Sequence, residues 1–206
     1  MTEEPDSPAS ARAKGSYAKG LARRQEILDR AIEVFARRGA ERTSLRSIAA
    51  EIGVSHAALS HYFHSREELL VEVYLESSRQ LDAQHPAAPD SSVVEIMTTS
   101  AARNREVPGL VQLYSTLVAT ALEDGHPYAT EFATTRFARI REELAENVRR
   151  RQEAGRMRRD MDPDAVAALV IAASDGLQTQ WLLDPDAPQE AGLRLLERLL
   201  RPDAAE

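Results

Sequence analysis

Thr43 to Leu69 reads TSLRSIAAEIGVSHAALSHYFHSREEL, and this stretch decides the fold. Ile48, Ala49 and Ile52 fall on one face of a short helix, Gly53 ends it, and Val54 plugs the turn. Ser55 caps a second helix, whose Leu59 returns to the same core. A glycine four residues after Ala49, with a leucine six residues further on, is the spacing that packs two helices at a steep angle through a short turn. The second helix of such a pair projects from its neighbours, in the geometry that enters a DNA major groove. A glycine-turned pair is also a common helix corner, so the charge distribution has to arbitrate.

The net charge of −7 argues against a nucleic-acid partner until it is located. From Arg12 to Arg66 there are 11 Lys and Arg against 5 Asp and Glu, a balance of +6, while the remainder carries 15 against 28, a balance of −13. A basic head on an acidic body is expected when only the head meets phosphates. At 206 residues the chain can bury a substantial core. It has no cysteine, which excludes disulfides and thiolate zinc sites and suits a reducing cytoplasm. No apolar run is read as membrane-spanning, and the opening MTEEPDSPAS is acidic and unlike a secretory signal. The expectation is a cytoplasmic protein with no membrane partner.

Hydrophobic periodicity makes the whole chain helical. Residues 1–16 lack a pattern and read as a disordered tail, 17–64 as the helix-turn-helix domain, and 65–206 as a second domain. The first helix carries Ile27, Leu28, Ala31, Val34 and Phe35 on one stripe and stops at Gly39. Ser65 with Glu68, and Ser92 with Glu95, are capping boxes that open further helices. Pro108 and Pro127 start two more, expected to run to Gly125 and Gly155, and Asp162-Pro163 caps a helix to Leu183. A leucine-rich helix covers roughly 189–200, and no strand alternation or hairpin signal interrupts the series. The fold class is all-α, with three helices in the head and about six behind it.

The candidate DNA contacts follow from that placement. Ser55, as an N-cap, brings backbone N–H groups and its hydroxyl towards a phosphate. His56, Ala57, Ser60 and His61 are the outward positions of the second helix. His and Ser can bond base edges, and Ala57 can touch a thymine methyl. Thr43 reads as the cap of the preceding helix, with Arg46 in its first turn and Arg66 opening the next helix, all three as phosphate ligands. Lys14, Lys19, Arg23 and Arg24 precede or begin the first helix and can follow the DNA backbone. His56, His61 and His64 lack the carboxylate or cysteine that would complete a metal site, so no metal and no cofactor are expected.

The stretch RRQEILDRAIEVFARRGAERTSLRSIAAEIGVSHAALSHYFHSREELL, beginning at Arg23, resembles the DNA-binding domain of the TetR family of one-component regulators. The resemblance implies phosphate contacts from Thr43, Ser55 and Arg66, the last standing where Lys is usual, and base reading from His56, Ala57 and His61. The chain departs from the family in having Ser60 where Tyr is common and Tyr62 where His is common. Tyr62 is then the residue positioned to recover the phosphate contact, and Ser60 is not expected to do that job.

The resemblance also implies that the acidic body dimerises and binds a small effector. For dimerisation the residues themselves offer Val166, Leu169, Val170, Ala173, Leu177 and Trp181 on the 162–183 helix, alongside the small residues Ala167, Ala168, Ala172, Ser174 and Gly176. The last helix has Leu193, Leu196 and Leu200 on one stripe and Leu195 and Leu199 on another. A helix apolar on two faces has to bury both, which a four-helix bundle with a second copy provides. Candidate effector contacts among the fourth to eighth helices are Tyr74, Met97, Leu113, Tyr114, Leu117, Phe132, Phe137 and Gln178, with Arg103, Arg136 and Asp175 as polar anchors. Taken singly, each of these reads better as an ordinary core or surface residue, and the expectation of a cavity comes from the resemblance. The expected function is a homodimeric repressor released from a near-palindromic DNA operator by a small molecule. The alternatives are a regulator without an effector and a helical protein-interaction adaptor. An enzyme is not expected, for no phosphate-binding loop, metal motif or activated nucleophile is present in the sequence.

Overall fold

The structure, a computed structural model, describes residues 8–38, 44–86, 88 and 90–202. Among the described residues there are nine helices and no strand. In chain order they are α1 (Pro8–Arg38), α2 (Leu45–Glu51), α3 (His56–Tyr62), α4 (Arg66–Gln84), α5 (Val93–Asn104), α6 (Pro108–Thr120), α7 (Pro127–Glu153), α8 (Pro163–Leu183) and α9 (Gln189–Leu200). α1 begins at Pro8, so most of the stretch expected to be a tail continues the helix. Its alanine, arginine and lysine content favours that state. α6 stops at Thr120 rather than running on to Gly125, which sits at φ +88° in the turn before α7.

Local chemistry explains the boundaries. Ser44, Ser55, Ser65, Ser92 and Asp162 each accept a backbone N–H three residues on, closing the first turns of α2, α3, α4, α5 and α8. Ser92 and Glu95 form the full reciprocal capping box. At α4 the box is displaced: Glu68 accepts from the His64 amide at 2.6 Å instead of from Ser65. α6 and α7 begin at prolines and have no side-chain cap of their own.

The core has two parts. The first joins Ile27, Leu28 and Phe35 of α1 with Ile48, Leu59 and Phe63 of the helix pair and Leu69, Leu70 and Val73 of α4. It then continues into Leu110, Leu113 and Leu117 of α6 and Phe132 of α7. Head and body therefore share one apolar interior across α4. The second lies between α5, α7, α8 and α9 and contains Val93, Leu144, Val148, Val166, Val170, Leu193, Leu196 and Leu200.

That second cluster corrects the expected dimer stripe. Leu193, Leu196 and Leu200 are buried inside the protomer, as are Val166 and Val170, while Ala173, Leu177 and Trp181 are half-buried. Of the expected set only Leu169 stands open to solvent, and the exposed leucines of α9 are Leu195 and Leu199. The reason is local. α9 lies so close to α8 that a Cβ at Gly192 would come within 2.9 Å of Leu177 Cδ1, which turns the 193/196/200 stripe inward. α8 itself is long and apolar enough, at mean hydropathy 1.2, to cross a membrane by composition, contrary to the reading of the sequence. Its Gln178 is nevertheless buried against Asn104 and its Asp175 against Tyr114, polar pairings that suit a protein core.

α1 and α4 are also tied by polar contacts. Glu76, on α4, accepts from Gln25 at 2.7 Å, Gln80 at 2.8 Å and Arg79 at 2.9 Å. Burial alone would raise its pKa, but hydrogen bonds from Arg79, Gln80 and Gln25 outweigh that and hold it below the ordinary carboxylate value of 4.5. A depressed carboxylate pKa contributes stability above the unfolded value and loses it as pH falls through the folded one. Glu76→Gln is expected to lower unfolding free energy at pH 7 by about 1 kcal/mol, a modest figure because Arg79 is 68 % exposed. In urea titrations the gap between variant and wild type should narrow as pH falls below 4.5.

Candidate nucleic-acid interface and cavity

The helix pair is built by a few exact requirements of backbone geometry. α2 ends at Ile52, whose carbonyl accepts from Arg30 Nη1 at 3.2 Å. Gly53 follows at φ +71°, a left-handed conformation that a side chain would strain. The Val54 amide turns back to the Ala49 carbonyl at 2.9 Å. Ser55 Oγ then accepts the Ala58 amide at 3.0 Å and starts α3. Leu59 and the following Phe63 are fully buried, which fixes the rotation of the helix. His56, Ala57, Ser60 and His61 are consequently exposed on its opposite side. Tyr62 is half-buried, its ring edge-on to His61 at 4.9 Å.

The flanking candidates divide. Arg46 is exposed in the first turn of α2, and Lys19 is exposed on α1. Thr43 lies outside the described residues, and the cap expected of it is made by Ser44, which accepts the Ser47 amide at 3.2 Å. Arg23 is ion-paired with Glu26 on its own helix. Arg24 is committed to structure: it pairs with Glu72 of α4 at 2.8 Å and lies 5.0 Å over the Phe63 ring. Arg66 is half-buried at the start of α4, where burial lowers its pKa. His64 Nδ1 lies 3.1 Å from Glu68 Oε2. Lys14 belongs to the part of α1 whose side chains are not described.

Behind the head a cavity of about 380 Å³ opens between α4, α5, α6, α7 and α8, a volume suited to one small molecule. Eight of the eleven expected contacts line it: Tyr74, Met97, Arg103, Tyr114, Arg136, Phe137, Asp175 and Gln178. Leu113, Leu117 and Phe132 do not. They are buried in the core shared with the head, with the Phe132 ring packed edge-on to Tyr74 at 5.3 Å. Ser77, Ser100, Asn104 and Asn147 also line the cavity, unnamed among the expected contacts, as does Ser174, which was expected at the dimer face instead. All but Asn104 fall one helical turn from an apolar lining residue of the same helix, the one signal that was available.

Its chemistry is polar in specific places. The Tyr74 and Tyr114 rings stack at 5.2 Å, and the Arg136 guanidinium lies 5.3 Å and 4.9 Å from their centroids. Tyr114 Oη donates to Asp175 Oδ2 at 2.8 Å, and burial raises the pKa of both groups. Asn104 Nδ2 donates to Gln178 Oε1 at 2.5 Å. Arg103 is held by the His85 carbonyl at 3.2 Å and faces Asp82 at 3.9 Å. Head and cavity meet in α4, which carries Tyr74 in the cavity wall and Glu67 near its start. Glu67 Oε1 accepts the Ala129 amide at 2.6 Å, supplying α7 with the N-terminal cap its own sequence lacks. Its Oε2 lies 3.3 Å from His126 Nδ1.

Known proteins share this architecture. Residues 27–73 match the family described as bacterial regulatory proteins, tetR family, and residues 90–202, more than half the chain, match the C-terminal domain of BetI-type transcriptional repressors. A probable acrEF/envCD operon repressor of Escherichia coli is 25 % identical over 179 residues, covering 84 % of this chain and 81 % of that one. The HTH-type transcriptional repressor Rv1474c of Mycobacterium tuberculosis is 26 % identical over 182 residues, covering 87 % and 94 %. Among solved structures, a SmeT–triclosan complex superposes with a TM-score of 0.67 at 22 % identity, covering 89 % of this chain and 93 % of that one, and so shares the fold. With its glycine-turned helix pair at one end and its cavity-bearing helical body at the other, the chain belongs to the TetR family and is a DNA-binding transcriptional regulator.

Proposed function

We propose that the protein is a homodimeric repressor that reads a near-palindromic operator through α3 and releases it when a small molecule fills the cavity. The observation that carries the reading is the outward row His56, Ala57, Ser60 and His61, held by a fully buried Leu59 and Phe63 beneath it. Ser55, Arg46 and Lys19 meet phosphates around it, with Tyr62 and Arg66 at its far end. Thr43 and Arg23 complete the expected set, Arg23 by exchanging Glu26 for a phosphate.

The second copy covers the open face of α8 and α9. Leu169, Leu183, Leu195 and Leu199 are 54, 84, 48 and 59 % exposed, and Ala165, Ala168, Ala172 and Gly176 form an exposed small-residue row beside them. An apolar face of this extent on the last two helices suits an isologous four-helix interface. Two heads in such a dimer address successive major grooves about 34–36 Å apart. A cavity ligand that prefers a different α4 position, acting on Tyr74, shifts the population to heads that no longer match this spacing. The ligand held by the SmeT neighbour supports a small-molecule effector of some kind.

Three measurements test the reading. Affinity for duplex DNA should fall by about 10³–10⁵ between about 50 and 200 mM salt if six to ten phosphates are neutralised. Weak, salt-insensitive binding would reject it. His61→Ala should weaken operator binding about 10-fold. Ala57→Glu should weaken it more, because it aims a carboxylate at the DNA, with helical content unchanged in both. Leu195→Asp with Leu199→Asp should give a folded monomer by light scattering. Leu196→Asp, placed in the protomer core, should instead lose at least the roughly 2–5 kcal/mol typical of emptying such a site.

A further inference from the structure

Among the described residues, one cation lining the cavity described above forms no ion pair. Of the charged side chains lining it, Arg103 faces Asp82 at 3.9 Å, Arg139 pairs with Glu143 at 2.8 Å, and Arg150 pairs with Glu146 at 3.7 Å. Arg136 has no carboxylate within ion-pairing distance among the described residues, although Asp175 and the Tyr114 hydroxyl lie close enough to favour its charge. Its Nε is buried with no hydrogen-bond partner, although an arginine keeps its charge in any protein environment. A second lining atom is orphaned in the same way. Asn147 Nδ2 donates to the Ser91 carbonyl at 3.0 Å, while its Oδ1 is buried and unpartnered. Buried polar atoms are rarely left so, because an unanswered one has lost its water and gained nothing in return.

Both residues stand on α7, 11 positions apart, which is about 16 Å along the helix axis. Between them α7 lines the cavity with Phe137, Ile140 and Leu144 and with the exposed Arg139–Glu143 ion pair, and Met97 of α5 adds apolar surface. We infer that the cavity is the site of an elongated organic acid, its carboxylate on Arg136, its apolar body along α7, and a hydroxyl at its far end donating to Asn147 Oδ1. The ligand class rests on the effector reading given above. Asp175 also lines the cavity, with its Oδ2 engaged by the Tyr114 hydroxyl at 2.8 Å. A cationic ligand would meet Arg136 already seated against the two tyrosine rings.

Calorimetric titration of the full chain with decanoate, 10-hydroxydecanoate, decanamide and decylamine tests this. The two acids should bind, the amide and the amine at least 10-fold more weakly, and the terminal hydroxyl should tighten binding about fivefold, the worth of one neutral hydrogen bond. Arg136→Gln should weaken both acids about 10- to 100-fold, and Arg136→Lys, which keeps the charge but not Nε, by less. Asn147→Ala should erase the preference for the hydroxyl while still binding decanoate. Thermal unfolding of each unliganded variant separates lost binding from lost fold, and the lysine variant decides should the glutamine one not fold. Equal or tighter binding of decylamine or decanamide, acid binding untouched by Arg136→Gln, or no hydroxyl preference would overturn the inference, as would no binding by any of the four. Salt-dependent DNA binding, measured on the same samples, separates this from the regulator reading: DNA bound with no acid bound rejects the ligand class alone.

Discussion

α4 must satisfy two interiors at once, and the rest of the molecule is arranged around that constraint. Leu69, Leu70 and Val73 are buried in one cluster with side chains of α1, the helix pair, α6 and α7. Side chains packed at crystal-like density cannot slide independently, so a displacement of α4 has to be shared by whatever touches it. Around the apolar seam the polar contacts point the same way. Arg24 reaches Glu72, Gln25 reaches Glu76, and Glu67 reaches the open end of α7. The recognition helix is thus oriented by a neighbour that also forms the wall of the cavity.

The contact at Glu67 shows how coupling of this kind is built from ordinary requirements. An α-helix presents unsatisfied amides at its start, and the sequence before α7, His126 then Pro127, offers no serine, threonine or aspartate to accept one. The acceptor comes from α4 instead. A helix end that depends on another helix for its cap responds to that helix's position, so the body has a stake in where the head stands. The missing cap was visible in the sequence; its acceptor was not, because the two residues are 62 positions apart.

Much of the architecture was legible because it follows from local periodicity and local caps. The serines at 44, 55, 65 and 92 and the prolines at 108, 127 and 163 mark helix starts by chemistry that acts within one turn. The outward row of α3 was legible for the same reason, since Leu59 and Phe63 fix its rotation. What failed required knowledge of neighbours. Leu193, Leu196 and Leu200 look the same as Leu195 and Leu199 until Gly192 brings α9 against α8 and decides which stripe is inside. Leu113, Leu117 and Phe132 have the composition of a cavity wall but lie one layer deeper. Thr43 and Ser44 are adjacent hydroxyls of equal capping chemistry, and backbone geometry at α2 selects the second. The alanine-rich start of α1 lacks an apolar stripe, so periodicity had nothing to find there.

α8 has two edges with different surroundings. Ile171, Ser174, Asp175 and Gln178 look into the cavity, while Leu169, Ala172, Gly176 and Leu183 look out of the protomer. A helix behaves as a stiff beam over five turns, so guest molecules too bulky for the inner edge would lean on the outer one. The cavity therefore has a geometric ceiling: it can widen towards α4 or α7, but widening towards α8 tilts the open apolar face on the far side of that helix.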